Sequence, residues 1–315
     1  MSDEALPEPA AAAPPKPPRA RKSAPAQSLL RQHVGDILRA PGAVLGLVVL
    51  FGAAFAAIFA PWIAAQNPYD LMQLDIMDNM LPPGAKLGNG ATAWLGTDDQ
   101  GRDMLSAILY GLRISLGVGI ISVVAASVIG STVGVAAAFF GRKVDAVIMR
   151  IVDLQLSFPS ILIALVLLAA FGRGVDKVII ALVAVQWAYY ARTVRGSALV
   201  EKNKDYIAAA ASLELSARRI VFNHLLPNCL PPLIVVATVQ VAHAIVLESS
   251  LSFLGVGVPV TEPSLGMLIS TGYSYLLSGK YWISTFPGVA LVVLIVAINL
   301  VGDRLRVVLN PRLNG

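Results

Sequence analysis

The chain has little of the side-chain chemistry on which soluble enzymes depend. Its single cysteine, Cys229, excludes an intrachain disulfide and a cysteine metal cluster. Only three histidines occur, and none belongs to an HExxH pattern. The sequence contains no GxxxxGK[ST] loop to hold nucleotide phosphates and no GxSxG elbow to expose a nucleophilic serine. We therefore expect no ATP hydrolysis, no catalytic residues and no cofactor in this chain.

Charged residues are also scarce, at 14% of 315 residues, whereas hydrophobic residues reach 56% and the mean hydropathy is +0.72. Too little polar material remains to cover a soluble globule. Six apolar runs approach or exceed the roughly 20 residues that cross a bilayer. They are 42–63, 113–140, 146–171, 177–198, 228–254 and 283–303. The predicted fold is an all-α membrane protein with six transmembrane helices.

The sequence outside these runs divides the chain further. Residues 1–28 contain seven prolines and no apolar periodicity, which predicts a disordered cytoplasmic tail. Residues 29–41 carry an apolar stripe beside basic residues, as in a helix lying in the membrane surface. The remaining predicted divisions are a first span with an external segment (42–112), a transmembrane core (113–303) containing a polar loop (199–227), and a cytoplasmic tail (304–315).

The positions of the basic residues predict the orientation. The net charge of +5 could indicate nucleic-acid binding, but the charges lie at the edges of apolar runs. With both termini in the cytoplasm, all but six of the 24 Lys and Arg residues lie on the cytoplasmic side. The exceptions are Lys86, Arg102, Arg113, Arg173, Lys177 and Lys280. The chain is therefore predicted to be a multi-pass membrane protein with loop 199–227 on the cytoplasmic side.

The polar stretch from Asp205 to Asn228 reads DYIAAAASLELSARRIVFNHLLPN. Asp205 is a good helix N-cap, and apolar residues then recur at helical spacing on one side. A second helical pattern precedes Leu226, so the stretch predicts two short helices separated by a turn. From the pattern alone, two interpretations stay open. The stretch is either a docking surface for a partner or an amphipathic helix that lies in the membrane interface without one.

The same stretch resembles the EAA loop of permease subunits of binding-protein-dependent ABC importers, which starts with Asp-Tyr and closes with Ile…Leu-Pro-Asn. WLGTDDQGRDMLSAILYGLRISL at 94–116, MRIVDLQLSFPS at 149–160 and ESSLSFLGVGV at 248–258 extend the resemblance. They are similar to the C-type subunits of dipeptide, oligopeptide and nickel permeases. The likeness covers roughly residues 29–313 and implies the type I ABC importer fold and a location in a bacterial inner membrane.

The resemblance implies partners and a docking site. The partners would be a second homologous permease, two ABC ATPases that bind ATP and Mg²⁺, an extracytoplasmic solute-binding protein and membrane lipid, with no nucleic acid. The residues that match the family's docking loop are Asp205, Tyr206, Ala209, Ala210, Leu213, Glu214, Ile220, His224, Leu226, Pro227 and Asn228.

Three residues of this loop depart from the family pattern. Ala208, Ala211 and Glu214 stand where the family usually has Glu, Arg and Gly. Glycine adopts positive φ without strain, so Glu214 predicts a reshaped turn or about 1 kcal/mol of backbone strain.

Ionisable residues inside spans are candidates for the transport pathway or its gate. Arg150 and Asp153 lie one helical turn apart and can pair with each other, or act in gating. Glu248 either bonds backbone groups freed by a break at 249–257 or faces the pathway. His243 is either a hydrogen-bonded packing residue or a substrate contact. The acidic stretch at 96–103 lacks the spacing of an EF-hand and predicts a capped turn before a helix near Met104.

Small residues recur at every fourth position of the second span, at Ala126, Gly130, Gly134 and Ala138. Such a face allows another helix to approach closely. The pattern does not say whether that helix belongs to this chain or to another subunit.

The predicted function is that of a permease subunit of an ATP-driven importer, with a di- or oligopeptide as substrate. Nickel or another small solute is the alternative within the same family. Two rival hypotheses come from other functional classes: an ion-gradient-driven transporter, and a membrane scaffold without transport activity. The chain has no His or Met array typical of a bare metal-ion pathway, which favours the peptide.

Overall fold

A computed structural model describes residues 35–70 and 74–309. In chain order its helices are α1 (Pro41–Ile63), α2 (Met104–Phe140), α3 (Arg142–Ser157), α4 (Ser160–Phe171), α5 (Val175–Lys202), α6 (Asp205–Ser212), α7 (Ala217–Ile220), α8 (Leu226–Phe253), α9 (Leu265–Tyr273) and α10 (Trp282–Val308). Within the described residues, the only sheet is a hairpin of β1 (Ala85–Lys86) and β2 (Thr92–Ala93). Residues 35–38 are also helical, but most of the predicted interfacial helix and the tail 1–28 lie outside the described residues.

Four helices are long and apolar enough to cross a membrane: α1, α2, α10 and the continuous helix Ala217–Phe253 that includes α8. The pair α3–α4 adds a fifth span if it is counted as one. The remaining predicted span coincides with α5, whose 28 residues reach about 42 Å. Because it carries several charged side chains and an amide, α5 is less apolar than the four helices named above. Each of the six predicted segments thus corresponds to a described helix or helix pair.

The prediction of one continuous helix over 146–171 is wrong, because α3 and α4 meet at 92°. Pro159 has no N–H for a helical hydrogen bond and restricts the residue before it. Phe158 accordingly adopts an extended conformation, with φ −94° and ψ 144°. Helix α3 then runs along α5, where the Gln155 amide donates to the Val185 carbonyl at 3.1 Å.

The small-residue face of α2 packs against α5 of the same chain, which answers the question left open by the sequence. A Cβ placed on Gly130 would lie 2.3 Å from the Trp187 carbonyl oxygen. One on Gly134 would lie 2.5 Å from the Ala191 carbonyl oxygen. Only glycine therefore permits this backbone contact.

Helices α2, α5 and α8 form the centre of the bundle. Val118, Leu182, Tyr190 and Leu251 are among the buried residues of their common core. A second core joins α1, α2, α9 and α10 through residues such as Met104 and Leu294. Large apolar side chains on the outer surfaces stay exposed, including Phe51, Val124 and Val292. This distribution suits a bundle whose surroundings are hydrocarbon or another apolar subunit.

The segment between α1 and α2 folds into a capped turn and contacts the beginning of α10. Asp103 caps α2, because its Oδ2 accepts from the Ser106 N–H at 2.8 Å. This confirms the predicted capped turn, although α2 is one continuous helix from Met104 rather than from 113. The indole N–H of Trp282, the first residue of α10, donates to the Thr97 carbonyl at 3.1 Å and so joins α10 to the segment between α1 and α2.

Candidate functional site

Residues 199–227, which we call the EAA-like loop, run from the last turn of α5 into the first residues of α8. Helix α6 begins at Asp205 itself, so this residue is the first of the helix rather than its cap. A short turn leads to α7, and a π-helical turn at Val221–Leu225 passes directly into α8. The second predicted short helix is therefore the beginning of a long helix, Ala217–Phe253.

The turn after α6 contains the residue that the sequence singles out. Glu214 has φ +54°, as expected for a position where the family usually has Gly. The Leu215 N–H donates to the Ala210 carbonyl at 3.3 Å and closes the turn. The chain thus keeps the turn and accepts a side chain in the left-handed conformation.

Helix α6 has one inward and one outward face. Ile207 and Ala210 are 7% and 6% exposed, whereas Ala209 is exposed and Leu213, just after the helix, is 74% exposed. Phe222 adds another exposed apolar side chain at 55%. Ala210 therefore offers little exposed surface, because it lies one helical turn after Ile207 on the same buried face.

A hydrogen-bond chain joins the two ends of the EAA-like loop. The Tyr206 hydroxyl donates to Glu201 Oε2 at 2.7 Å and accepts from Asn228 Nδ2 at 3.2 Å. Asn228 Nδ2 also donates to the His224 carbonyl at 2.6 Å, and Lys204 pairs with Glu201 at 2.6 Å. Glu201 was not identified from the sequence, since it precedes the family motif.

The other matched loop residues lie around this chain. Ile220, His224 and Leu226 are half-buried, and Pro227 is exposed at the first turn of α8. The π-helical turn at Val221–Leu225 lies just before this proline, where the α-helical hydrogen-bond pattern is already interrupted. Cys229, just behind, is buried as a packing residue.

Asp153 pairs with Arg192 of α5, so its pairing with Arg150, one of the two interpretations that the sequence left open, is not formed. Arg195 makes a second, bidentate contact with Asp145, at 2.8 and 2.6 Å. Helix α3 lies along α5, so its acidic residues reach the arginines of that helix more directly than its own. Arg150 is exposed and has no ion pair among the described residues. The two cross-helix pairs hold α3 against α5.

Glu248 is fully buried, which contradicts the interpretation that it faces a pathway in this conformation. Its carboxyl accepts from the hydroxyls of Ser252 at 2.8 Å, Ser115 at 3.2 Å and Ser249 at 3.3 Å. The other interpretation, direct bonding to freed backbone, is also wrong. Ser252 Oγ instead accepts from the Val258 N–H at 3.2 Å and relays the contact.

His243 stacks edge-on against Tyr189, with 6.4 Å between the ring centroids. Its Nδ1 is buried and has no hydrogen-bond partner among the described residues. The expected hydrogen-bonded packing role is therefore not seen at this nitrogen. On α5, one turn before Tyr190, the Gln186 amide donates to the Gln240 carbonyl of α8 at 3.4 Å.

The acidic stretch 96–103 is structural. Arg102 and Asp98 form a buried ion pair at 2.6 Å, and Arg102 Nη1 donates to the Val260 carbonyl at 3.3 Å. Burial and the neighbouring Asp98 raise the pKa of Asp99. Across residues 35–70 and 74–309, no group of three or more His, Cys, Asp or Glu side chains could hold a metal ion.

The described residues form a helical bundle with spans long and apolar enough to cross a membrane, and the EAA-like loop links two of its helices. A family profile described as "binding-protein-dependent transport system inner membrane component" matches residues 130–315. A second, "N-terminal TM domain of oligopeptide transport permease C", matches residues 28–83. The chain belongs to the family of binding-protein-dependent transport system inner membrane components. It is a multi-pass inner-membrane permease subunit of an ABC importer and is not itself catalytic.

Similar proteins cover most of the chain. It is 42% identical over 276 residues to the dipeptide transport system permease protein DppC of Escherichia coli (strain K12), covering 87% of this chain and 90% of that protein. The Haemophilus influenzae protein of the same name is 35% identical over 272 residues, covering 86% and 91%. A chain of the MetNI methionine ABC transporter in inward-facing conformations has a TM-score of 0.54 and 25% identity, covering 65% of this chain and 97% of that chain. These matches agree with the resemblance seen in the sequence.

Proposed function

We propose that this permease carries di- or oligopeptides across the membrane in an ATP-driven importer. The observation that carries the proposal is the 35–42% identity to permeases named for dipeptide transport, over at least 86% of the chain. Nickel or another small solute is the alternative substrate. The lack of a cluster of metal-binding side chains in the described part of the chain favours the peptide.

The EAA-like loop is the proposed docking site for one of two ATPase subunits, which bind the ATP and Mg²⁺ that this chain does not; the other ATPase would dock on the second permease. The exposed Ala209, Leu213 and Phe222 support this, because apolar surface at a loop end is typical of an interaction site. The loop and both termini would lie in the cytoplasm. A second permease would complete the pathway, and a solute-binding protein would deliver the substrate outside.

An ion-gradient-driven transporter is the main rival. Such a protein needs carboxylates that ions or protons can reach within the bilayer. Glu248 is fully buried among serine hydroxyls, and Asp153 pairs with Arg192. Neither arrangement favours an ion pathway in this conformation. A scaffold without transport activity would leave the exposed loop residues without a role.

The test is to express the chain with its candidate partner subunits, purify it, and place the complex in proteoliposomes. We expect ATPase subunits to co-purify and a labelled dipeptide to enter the vesicles only with ATP and the binding protein. Uptake of Ni²⁺ in place of dipeptide would favour the alternative substrate. Uptake by the chain alone, driven by a proton or sodium gradient, would contradict the proposal.

A further inference from the structure

One hydroxyl group joins three helices at the base of the EAA-like loop. Tyr206 is the second residue of α6, Glu201 lies in the last turn of α5, and Asn228 lies in the first turn of α8. The Tyr206 hydroxyl donates to Glu201 at 2.7 Å and accepts from Asn228 at 3.2 Å. It thereby uses both its donor and an acceptor position for bonds to other helices.

The acceptor of the Tyr206 hydroxyl is the carboxylate of Glu201. Burial alone would raise the pKa of Glu201, but the donors Lys204 and Tyr206 outweigh it and lower that pKa. Burial, together with the bond to Glu201, raises the pKa of Tyr206 to about 12. At neutral pH the bond therefore joins a neutral phenol to a carboxylate, a combination stronger than a bond between two neutral groups.

Helix α6 has few other polar connections. Among the described residues, Tyr206 is the only α6 side chain that hydrogen-bonds to another helix, since Ser212 bonds to Ala208 of its own helix. The apolar contact is confined to the small inward face of Ile207 and Ala210. A displacement of α6 would therefore reach α5 and α8 mainly through the backbone connections and through Tyr206.

We propose that Tyr206 is a positioning residue that makes α5 and α8 move together with α6. This inference rests on the proposed docking of ATPases to the loop. It adds that the two ends of the EAA-like loop move as one rigid unit, because the Tyr206 hydroxyl is hydrogen-bonded to both Glu201 and Asn228. The two helices so linked are central to the bundle, and they carry Tyr189 and His243 in ring contact.

The experiment uses the whole complex in proteoliposomes and measures dipeptide uptake per ATP hydrolysed. Tyr206→Phe keeps the ring and removes only the hydroxyl. We expect the complex to assemble with wild-type subunit ratios, while uptake per ATP falls about tenfold, the equivalent of one charged hydrogen bond. Asn228→Asp, which keeps the size but loses the donor, is expected to show a similar fall. Glu201→Gln keeps an acceptor and should lose less.

Ser197→Ala is the matched control, because the Ser197 hydroxyl on α5 bonds, within the described part of the chain, only to Thr193 of the same helix. It should keep the wild-type ratio. Uptake per ATP unchanged in either Tyr206→Phe or Asn228→Asp would overturn the inference. Loss of assembly in both would also overturn it, since the hydroxyl would then hold the loop together rather than transmit motion. If no ATPase bound the wild-type chain, the proposed function would fail instead.

Discussion

At the scale of single residues, Glu214 is the clearest departure from the family pattern with a structural consequence. Its φ of +54° belongs to the left-handed region, which costs a residue with a Cβ about 1 kcal/mol. The turn is nevertheless retained, so the neighbouring helices α6 and α7 determine its shape. The charged side chain of Glu214 is exposed at this turn.

Replacing Glu214 by Gly should therefore stabilise the turn. We expect Glu214→Gly to slow trypsin cleavage at the exposed Arg218 and Arg219 about fivefold, through the loss of about 1 kcal/mol of strain. Coupling of ATP hydrolysis to uptake should be preserved. Glu214→Val, which places a branched side chain at positive φ, is the opposing control and should speed cleavage. If Glu214→Gly instead reduced uptake and a charge change on the ATPase restored it, Glu214 would be a partner-specific ion-pair residue.

Glu248 illustrates how burial changes the role of an ionisable residue. Its carboxyl accepts hydrogen bonds from serine hydroxyls of α2 and α8. It therefore connects these two helices, and through Ser252 it also reaches the Val258 N–H in the segment 255–264. A buried acceptor that satisfies several donors is costly to remove, because each donor is then left without a partner.

Glu248→Leu should lower the free energy of unfolding by about 2–4 kcal/mol, because the serine hydroxyls lose their acceptor. Glu248→Gln retains one carbonyl oxygen and should cost less than about 1.5 kcal/mol. The measurement is thermal unfolding of the purified chain in detergent. Equal stability of the Leu and Gln variants would contradict the assigned structural role.

At the scale of helices, the contact between α2 and α5 depends on the absence of side chains. Gly134→Ala should destabilise the protein by about 1–3 kcal/mol, since the added Cβ would lie 2.5 Å from a carbonyl oxygen of α5. Gly117→Ala on the same helix has nothing within 4 Å and should be neutral or stabilising. Thermal unfolding in detergent compares the two. A larger loss for Gly117→Ala would mean that the helices pack differently.

The outward face of α6 gives a second prediction at this scale. Ala209→Arg should uncouple ATP hydrolysis from uptake, because a small exposed residue permits close approach of a partner. Ala209→Ser keeps the small size and should retain coupling. Substrate-stimulated ATP hydrolysis by the reconstituted complex is the readout. Normal coupling with Ala209→Arg would argue against α6 as the mechanical link. Ala210 is unsuitable for this test, because its side chain is buried within the chain.

At the scale of the whole molecule, the prediction concerns orientation. Single cysteines at Lys86 and Lys280 should react with an impermeant thiol reagent added outside cells, and one at Lys202 should not. The native Cys229 is buried and should give little background. Labelling of position 202 from outside would place the EAA-like loop on the wrong side for ATPase docking and would contradict the proposed coupling.

The sequence alone was enough to determine the class of fold and the family. In a bilayer, the backbone N–H and C=O groups of a long apolar run must find hydrogen-bond partners within the protein, and a helix provides them. The loop motif from Asp205 to Asn228 identified the permease family, and the Gly134 and Gly130 spacing predicted a close helix contact. At Glu214, the glycine usual in the family predicted either a reshaped turn or strain at positive φ, and the structure shows the positive φ. These features depend on local backbone chemistry, which a sequence records directly.

Only the tertiary structure decided which residues meet across the bundle. Asp153 pairs with Arg192 rather than Arg150, since the bend at Pro159 brings α3 alongside α5. The partners of Glu248 and Tyr206 come from other helices, at separations of up to 133 residues for Ser115. Ala210 turns inward although its neighbour Ala209 does not. Such contacts follow from how helices pack, and helical periodicity does not state which face of a helix will find a neighbour.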